Sequence, residues 1–386
     1  MKTDAGRGLV SLLAVSAAAT VANLYYSQPL LAALRTAFGS TQEAVSRVPM
    51  LTQLGYGLGM LALAPLGDRF ERRRLIASTT AFTSLVLVGV ALAPSLGWLT
   101  VLSGLLGLAT MVPQLIVPYA ATLAPPLQRG RVVGTVMSGV LIGILLSRTV
   151  SGFVNARFGW RAMYAAAAVL MAVLAAALAV VLPDQRPERP VPLRELYASL
   201  LTLVRREPVL RLHSALGALA FAGFSAFWST VAFHLAALPQ HYGSQVVGLF
   251  GVLGVLGALA APLVGRVADR GGGRLVNVVG LLAVLLSFVV FGTLGRSLLG
   301  IGAGVVLMDL GVQSNHISNQ TRIFGLDPAQ RSRLNTVYMA TYFAGGALGS
   351  WLGAVGWMHA GWTGVAVVGG ALAALGLLIF GLTAGR

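Results

Sequence analysis

The stretch Ala64-Pro-Leu-Gly-Asp-Arg-Phe-Glu-Arg-Arg-Arg74 is a short, strongly basic turn between two long apolar runs. Its Asp68-Arg69 pair returns as Asp269-Arg270, which is 201 residues later (269 − 68). A second pair, Gly159-Trp160, returns as Gly361-Trp362 at a spacing of 202 residues (361 − 159). Two independent matches at almost the same spacing indicate that the chain consists of two duplicated halves.

The composition excludes a soluble domain. Hydrophobic residues make up 56% of the 386-residue chain and charged residues 10%, whereas a soluble domain contains about 25% charged residues. Long apolar runs alternate with short polar turns, which excludes a membrane β-barrel because its strands need only about ten alternating residues. We therefore predict an all-α integral membrane protein embedded in a lipid bilayer.

Twelve membrane-spanning helices are predicted, because each needs about 20 mostly apolar residues between charged or Pro/Gly-rich turns. The spans of the first half are 9–32, 45–66, 74–95, 98–123, 131–156 and 160–182, and those of the second half are 212–236, 245–267, 275–294, 298–322, 333–357 and 361–382. The predicted domains are an N-terminal six-helix bundle (1–183), a cytoplasmic linker (184–211) and a C-terminal six-helix bundle (212–386). Within the linker, Leu193–Val204 is predicted to form a short amphipathic helix.

The basic residues lie mostly on one side of this topology. The formal net charge is +16, and of the 27 basic residues 21 fall in loops on the N-terminal side, five on the other side, and Arg148 within a span. Such asymmetry is typical of cytoplasmic loops, so we expect a multi-pass protein of the inner (cytoplasmic) membrane with both termini in the cytoplasm. A nucleic-acid partner is not expected, because the basic residues do not form a continuous face.

Twelve spans in two halves, with Asp-Arg loops after spans two and eight, resemble the major facilitator superfamily over the whole chain. The loop signature of that superfamily is roughly Gly-x-Leu-Ala-Asp-Arg-x-Gly-Arg-Arg. The second-half copy matches it at Gly265, Ala268, Asp269, Arg270, Gly272 and Arg274. The first-half copy matches at Leu66, Asp68, Arg69, Arg72 and Arg73, with Ala64 and Glu71 where glycines are usual.

The chemistry of these loops indicates a gate as well as an orientation signal. An aspartate at a helix end can cap the backbone or pair with an arginine of a neighbouring helix. Such a pair would hold the two bundles together in one conformation and break in the other. We expect the two copies to differ, because only the first contains Glu71.

Span five contains a second pattern, which resembles the fifth-helix motif of the superfamily's proton-coupled exporters. It consists of Gly134, Gly143, Ser147, Arg148, Ser151 and Gly152. A shift of 202 residues leads to a second set in span eleven, Gly345, Gly349, Ser350 and Gly353. Because small residues let membrane helices approach closely, both sets predict tight helix packing.

Only two charged residues lie well inside the predicted spans, Arg148 and Asp309. Charges inside a membrane are costly and usually functional. Both lie at similar depth, roughly 13 Å and 18 Å from the outer ends of their helices at 1.5 Å per residue. We expect them to face a central cavity and to interact directly or through water. A static ion pair between the halves, or an Arg148 that extends outward, are the alternatives.

Polar residues surround these charges. Asp309, Gln313, His316 and Gln320 follow helical spacing and form one stripe of span ten, whereas Asn315 and Asn319 lie on another face and are expected to pack against a neighbouring helix. In the superfamily, helices one, four, seven and ten line the cavity. The resemblance, with polar residues of span eleven added, implies a substrate cavity that includes Asn23, Tyr26, Ser27, Gln114, Ser225, Trp228, Gln313, Asn335 and Tyr338.

These observations predict a monomeric secondary transporter that exports a small molecule against entering protons by alternating access. Asp309 is the expected proton site and His316 the alternative titrating group. No metal or organic cofactor is expected. An uptake symporter of the same fold is the main alternative. An intramembrane enzyme is a remote alternative, because we find no Gly-x-Ser-x-Gly elbow or metal-ligand set in the sequence.

Overall fold

A computed structural model describes residues 6–185, 192–254, 272–327 and 330–383. Within these ranges the chain is helical and contains no strand, which confirms the predicted all-α class. Helices are the expected solution for apolar segments of this length, because a helix satisfies its backbone hydrogen bonds internally when no water is available.

The first half contains eight helices, some of which divide one predicted span in two. They are α1 (Arg7–Ala22), α2 (Leu31–Ala37), α3 (Gln42–Ala62), α4 (Arg72–Ala91), α5 (Leu96–Ala109), α6 (Pro113–Leu123), α7 (Arg129–Phe158) and α8 (Trp160–Val181). The linker contains α9 (Leu193–Arg206). The second half contains α10 (Pro208–Trp228), α11 (Val231–Ala237), α12 (Ser244–Gly254), α13 (Gly273–Leu294), α14 (Leu298–Phe324) and α15 (Arg331–Thr383).

Three predicted spans are broken near their middle. Span one is α1 and α2 joined by a 3₁₀ turn at Gln28–Leu30, span four is α5 and α6, and span seven is α10 and α11. In span four, Pro113 is the first residue of α6, a position that proline favours because its missing N–H is not needed there. The residues at these breaks are buried within the bundle.

The duplicated Gly-Trp pairs form the same turn in both halves. Gly159 between α7 and α8 has a φ of 80°, and Gly361 within α15 has a φ of 58°. At Gly361 the 53-residue α15 is interrupted, and so it represents two predicted spans. Positive φ favours glycine because it has no Cβ. The 202-residue repeat therefore preserves a backbone conformation as well as a pair of residues.

Among the described residues, eight helical stretches are long and apolar enough to cross a membrane, and α12 and Gly8–Ala22 are shorter apolar helices. Predicted span eight (245–267) is described only as far as Gly254, because residues 255–271 lie outside the described ranges. The number of twelve spans therefore stays a prediction.

The two halves are in contact along α3 and α15, and also where α7 meets α12. Near α12, Thr149 donates a hydrogen bond to the carbonyl oxygen of Gly248 and Asn155 donates one to Ser244, both at 2.9 Å. We call this the opposite end of the bundle, and we call the end that contains residues 64–74 the loop end. At the loop end a cleft of about 130 Å³ separates Met60, Arg72, Gln114 and other residues of the first half from Ser332, Asn335 and Thr336 of the second.

Linker helix α9 packs on the loop end. Its Leu196, Leu200 and Leu203 are buried, which is the face that the amphipathic pattern predicts. The hydroxyl of Tyr197 donates a hydrogen bond of 3.0 Å to the carbonyl oxygen of Ala62, at the end of α3. The linker helix therefore contacts the same helix end that precedes the Asp68 loop.

Candidate functional site

Arg148 lies in the middle of α7 and is 2% exposed. Its Nε donates a hydrogen bond of 2.6 Å to Oε1 of Gln28, in the break between α1 and α2. Its Nη1 donates one of 3.3 Å to the carbonyl oxygen of Ile144, one turn earlier in α7. The guanidinium is therefore held inward, and the alternative in which it extends outward does not apply.

Three aromatic rings surround the guanidinium. Its central carbon lies 4.2 Å from the ring centroid of Trp228, 4.6 Å from that of Tyr25 and 5.4 Å from that of Phe224. Distances below about 6 Å are favourable for cation–π attraction. Tyr25 belongs to the first half, whereas Phe224 and Trp228 belong to α10 of the second half, so this contact connects the halves.

Asp309 lies on α14 and is 9% exposed. Among the described residues, no basic nitrogen lies within 4.0 Å of its carboxylate, so it forms no ion pair with Arg148. Helix α12 contacts both side chains. A Cβ built at Gly251 would lie 3.1 Å from Cβ of Arg148, and one built at Gly254 would lie 2.6 Å from Oδ2 of Asp309. The glycine face of α12 therefore lies against both residues of the predicted pair.

A chain of polar side chains crosses from one half to the other near the loop end. Gln114 donates to the hydroxyl of Tyr56 at 3.2 Å, Asn335 donates to Gln114 at 3.5 Å, and Gln320 donates to Asn335 at 3.2 Å. Gln114 and Asn335 also line the cleft at this end. These two predicted cavity residues therefore do lie together, at the boundary between the halves.

His316 contacts aromatic residues of α15. Its Nδ1 lies 2.9 Å from the hydroxyl of Tyr338, and its ring centroid lies 5.0 Å from that of Tyr342. The contacts connect two helices of the second half. This arrangement is that of a helix-interface histidine rather than of a group that faces an open cavity.

Two asparagines of α14 lie on a different face from the polar stripe that contains Asp309 and His316. Asn315 donates a hydrogen bond of 3.0 Å to Asn277 of α13, and Asn319 donates one of 2.9 Å to Asn315. The Oδ1 atom of Asn319 also lies 2.7 Å from Nδ1 of His213, on α10. As the helical spacing indicates, this face of α14 is buried against its neighbours.

Gln53 is a site residue that the sequence patterns did not reveal. On α3, it accepts a hydrogen bond of 3.1 Å from Ser225 and donates one of 3.3 Å to Ser350. Gly346 leaves the space for its amide. This glutamine joins the halves at the middle of the bundle, and its only signal in the sequence is a lone amide within an apolar span.

The remaining predicted cavity residues have local or weak contacts. Asn23 donates a hydrogen bond of 3.1 Å to the carbonyl oxygen of Thr20. Tyr26 is buried, and its carbonyl oxygen accepts a hydrogen bond of 2.7 Å from Ser151. The hydroxyl of Ser27 is buried without a partner among the described residues. Gln313 is half-buried.

The small residues of span five and their repeats pack in equivalent ways. A Cβ at Gly143 would collide with the backbone of Ala18 on α1, and one at Gly345 would collide with the backbone of Ala218 on α10. Gly349 approaches Ala222 and Gly353 approaches Ala226 in the same way. Both halves therefore use one face of small residues to bring equivalent helices together.

Gly134 does not take part in this packing, contrary to the expectation from the motif. No neighbouring atom lies within 4 Å of a Cβ built there, because the residue lies beyond the helix contact. Gly139, which the motif did not include, packs against Ala14 instead. At the other end of the motif, Gly152 contacts Ser244 of α12, so the motif also meets the second half.

Two arginines of the first loop have hydrogen-bond partners in their own half. Arg73 donates a hydrogen bond of 2.7 Å to the carbonyl oxygen of Ala179 and forms an ion pair of 2.7 Å with Asp184. Arg72 donates to the carbonyl oxygen of Gly67 at 3.2 Å. In this conformation Arg73 therefore contacts the end of α8 and the residue that follows it, within its own half.

Other parts of the predicted gate are only partly described. Arg69 lies near the ring of Phe70 at 5.8 Å, Gly272 precedes α13, and Arg274 is exposed in its first turn. The side chain of Asp68 and all of Gly265, Asp269 and Arg270 lie outside the described part of the structure. The role of the two aspartates as latches stays a prediction.

Two relatives are similar in sequence to this chain over most of their length. The chain is 42% identical over 372 residues to the "Uncharacterized transporter YgaY" of Escherichia coli O157:H7, which covers 96% of this chain and 94% of the relative. It is 36% identical over 374 residues to "Probable transporter SCO4007" of Streptomyces coelicolor, which covers 96% of this chain and 86% of the relative.

A solved structure has the same fold. It is that of a bacterial homologue of the human lysosomal transporter Spinster in an inward-facing and occupied conformation, with a TM-score of 0.79, 13% identity and coverage of 99% of this chain and 98% of that chain. The sequence pattern described as Major Facilitator Superfamily matches residues 13–326. The chain therefore belongs to the Major Facilitator Superfamily and is a membrane transporter, not an enzyme.

Proposed function

We propose that this transporter exports a small molecule in exchange for protons, with Asp309 as the coupling site. The observation that carries the proposal is the buried carboxylate of Asp309, which has no basic nitrogen within 4.0 Å among the described residues. A buried carboxylate without a cation is costly as an anion, and a proton removes that cost. The site is thus suited to bind a proton in one conformation and to release it in another.

The position of Asp309 gives protonation a way to change the conformation. Its Oδ2 faces Gly254 of α12, and α12 is hydrogen-bonded through Ser244 and Gly248 to α7 of the first half. A change of charge at residue 309 therefore acts on a helix that closes the opposite end of the bundle. A ligand shifts such an equilibrium by its difference in affinity for the two conformations.

The proposed topology has twelve spans and places the protein in the inner membrane. The loop end and both termini then lie on the cytoplasmic side. The cleft at the loop end and the hydrogen bonds at the opposite end support an inward-open conformation. The small-residue packing of α7, which resembles the exporter motif, favours export over uptake.

The test uses everted membrane vesicles with an acidic interior and a panel of labelled organic acids, amines and neutral compounds. An exporter coupled to protons accumulates its substrate, whereas an uptake symporter releases it. We expect Asp309→Asn to abolish gradient-driven accumulation and to keep exchange of substrate across the membrane without a gradient. Asp309→Glu, which keeps the carboxyl group, is the control. Full accumulation by Asp309→Asn would refute the proton site.

A further inference from the structure

We infer that Arg148 and Trp228 form a subsite for the carboxylate of an organic acid, so that the transported molecule is an organic anion. This rests on the proposed function only in so far as the substrate binds between the two halves. The inference starts from the hydrogen-bond donors of the cluster, several of which have no acceptor.

Arg148 has a hydrogen-bond donor without an acceptor among the described residues. A guanidinium has five N–H groups and no acceptor. Nε and Nη1 donate to Gln28 and Ile144, whereas Nη2 is buried and has no hydrogen-bond partner among the described residues. A buried charge with an unmet donor is unfavourable, because it has lost water without a replacement. An oxygen atom of a ligand would meet that donor.

Trp228 presents a second unmet donor in the same cluster. Its side chain is 0% exposed, and its Nε1 has no acceptor in the described part of the chain. The indole nitrogen can only donate. The ring lies 4.2 Å from the guanidinium carbon of Arg148. We infer that these two unmet donors, on side chains in contact, each bind one oxygen of a carboxylate. Charge-assisted hydrogen bonds of this kind are among the strongest.

The local charge favours an anion. Asp309 contains the other buried charge of the predicted spans, and it does not reach within 4.0 Å of a basic nitrogen of the described residues. The groups in direct contact with the guanidinium of Arg148 are therefore neutral, namely the amide of Gln28 and ring faces. An organic cation at this place would be repelled, whereas a carboxylate would be attracted.

The position of the cluster suits a substrate that must be bound by both halves. Arg148, Gln28 and Tyr25 belong to the first half, and Phe224 and Trp228 belong to the second. Gln28 lies in the break of span one, and Trp228 is the last residue of α10, at the break of span seven. The rings of Tyr25, Phe224 and Trp228 provide an apolar wall, so the acid should have an apolar or aromatic body.

Binding to the purified protein in detergent tests this inference without a proton gradient. The probes are matched pairs of an acid and its amide: acetate and acetamide, benzoate and benzamide, and indole-3-acetate and its amide. We expect at least one acid to raise the melting temperature and to quench tryptophan fluorescence, and its amide to do neither. Sodium sulfate at equal ionic strength shows whether any oxyanion has the same effect.

The variants separate a binding role from a structural one. We expect Arg148→Gln to abolish the response to the acid and Trp228→Phe, which keeps the ring, to weaken binding about tenfold, the value of one good hydrogen bond. The matched control is Arg161→Gln, because Arg161 also stacks on a tryptophan, Trp160, at 4.2 Å. If Arg148→Gln does not fold, Arg148→Lys and Trp228→Phe carry the test.

Equal responses to acid and amide, or to sulfate and acid, would overturn the carboxylate site, as would unchanged binding by Arg148→Gln. Asp309→Asn is expected to bind the acid normally. A variant that loses accumulation but still binds the acid therefore tests the proton site alone. A variant that loses binding of the acid tests the carboxylate site.

Discussion

Gly254 of α12 approaches Asp309 of α14 so closely that a Cβ built at residue 254 would lie 2.6 Å from the carboxylate oxygen Oδ2 and 2.7 Å from Cδ2 of Leu145. One turn earlier, Gly251 faces the side chain of Arg148. One helix face therefore touches both buried charges of the predicted spans. Both charged residues are thereby in contact with an element that connects the halves.

Gly254→Ala should impair proton coupling more than folding. The added methyl group meets the ends of two side chains rather than backbone, so Asp309 can turn away at modest cost. We expect reduced accumulation in acid-loaded everted vesicles and a melting temperature close to that of the wild type. Gly134→Ala is the control, because nothing lies within 4 Å of its Cβ. Unchanged accumulation by Gly254→Ala would show that this contact has no part in coupling.

Gly349→Ala should destabilise the second half. Its Cβ would collide with the backbone of Ala222 on α10, and backbone cannot turn away as a side chain can. Overpacking of this kind costs about 1–3 kcal/mol. Chemical unfolding in detergent, followed by tryptophan fluorescence, measures the change. Gly134→Ala should instead leave the stability unchanged or raise it by up to about 1 kcal/mol, because alanine is the better helix former.

Gln53→Ala should favour separation of the halves at the middle of the bundle. The substitution leaves the buried hydroxyl groups of Ser225 and Ser350 without this partner, at a cost of about 1–3 kcal/mol. Because the chain has no cysteine, Thr36→Cys and Gln240→Cys can be introduced for spin labels near the opposite end. We expect a broader and longer distance distribution between them.

The control for that experiment is Thr80→Ala. The hydroxyl of Thr80 donates to Ile76 within its own helix, so its loss removes a buried hydroxyl without a contact between the halves. Identical distance distributions for Gln53→Ala and the wild type would mean that Gln53 does not hold the halves together.

The ion pair of Arg73 and Asp184 should contribute little to stability. The two side chains are 34% and 74% exposed, and exposed pairs contribute about 0–1 kcal/mol. Asp184→Asn should therefore lower the free energy of unfolding by less than about 1 kcal/mol. Arg73→Gln should cost more, since it also removes the hydrogen bond to Ala179. A double-mutant cycle in chemical unfolding measures the pair, and a coupling that does not weaken with salt would contradict this account.

The sequence was informative where a property depends on residues close together in the chain. Apolar run length is such a property, and it predicted an all-helical membrane protein correctly. The repeated glycines Gly159 and Gly361 predicted the duplication, and both have a positive φ in the structure. The prediction was poorer for helix continuity. The break after Trp228 has no proline or charge to indicate it, and the hydroxyl groups of Ser229 and Thr230 donate to carbonyl oxygens of the preceding turn there.

The candidate site could be predicted only in part from the spacing of residues in the sequence. Arg148 and Asp309 could be selected from sequence because an apolar span makes any charge conspicuous. Their shared contact with α12 could not, because it depends on a third helix whose glycines lie against both side chains. Gln53 was missed for a similar reason, since its partners are 172 and 297 residues away.

By itself, then, the sequence determined the class of fold, the duplication and the identity of the two membrane charges, because composition and helical spacing are properties of one dimension. Tertiary structure decided which groups meet: Gln28 and Trp228 at Arg148, and Gly254 at Asp309. The physical reason is that contacts between helices depend on their rotation and depth. Those are set by the packing of every neighbouring side chain together.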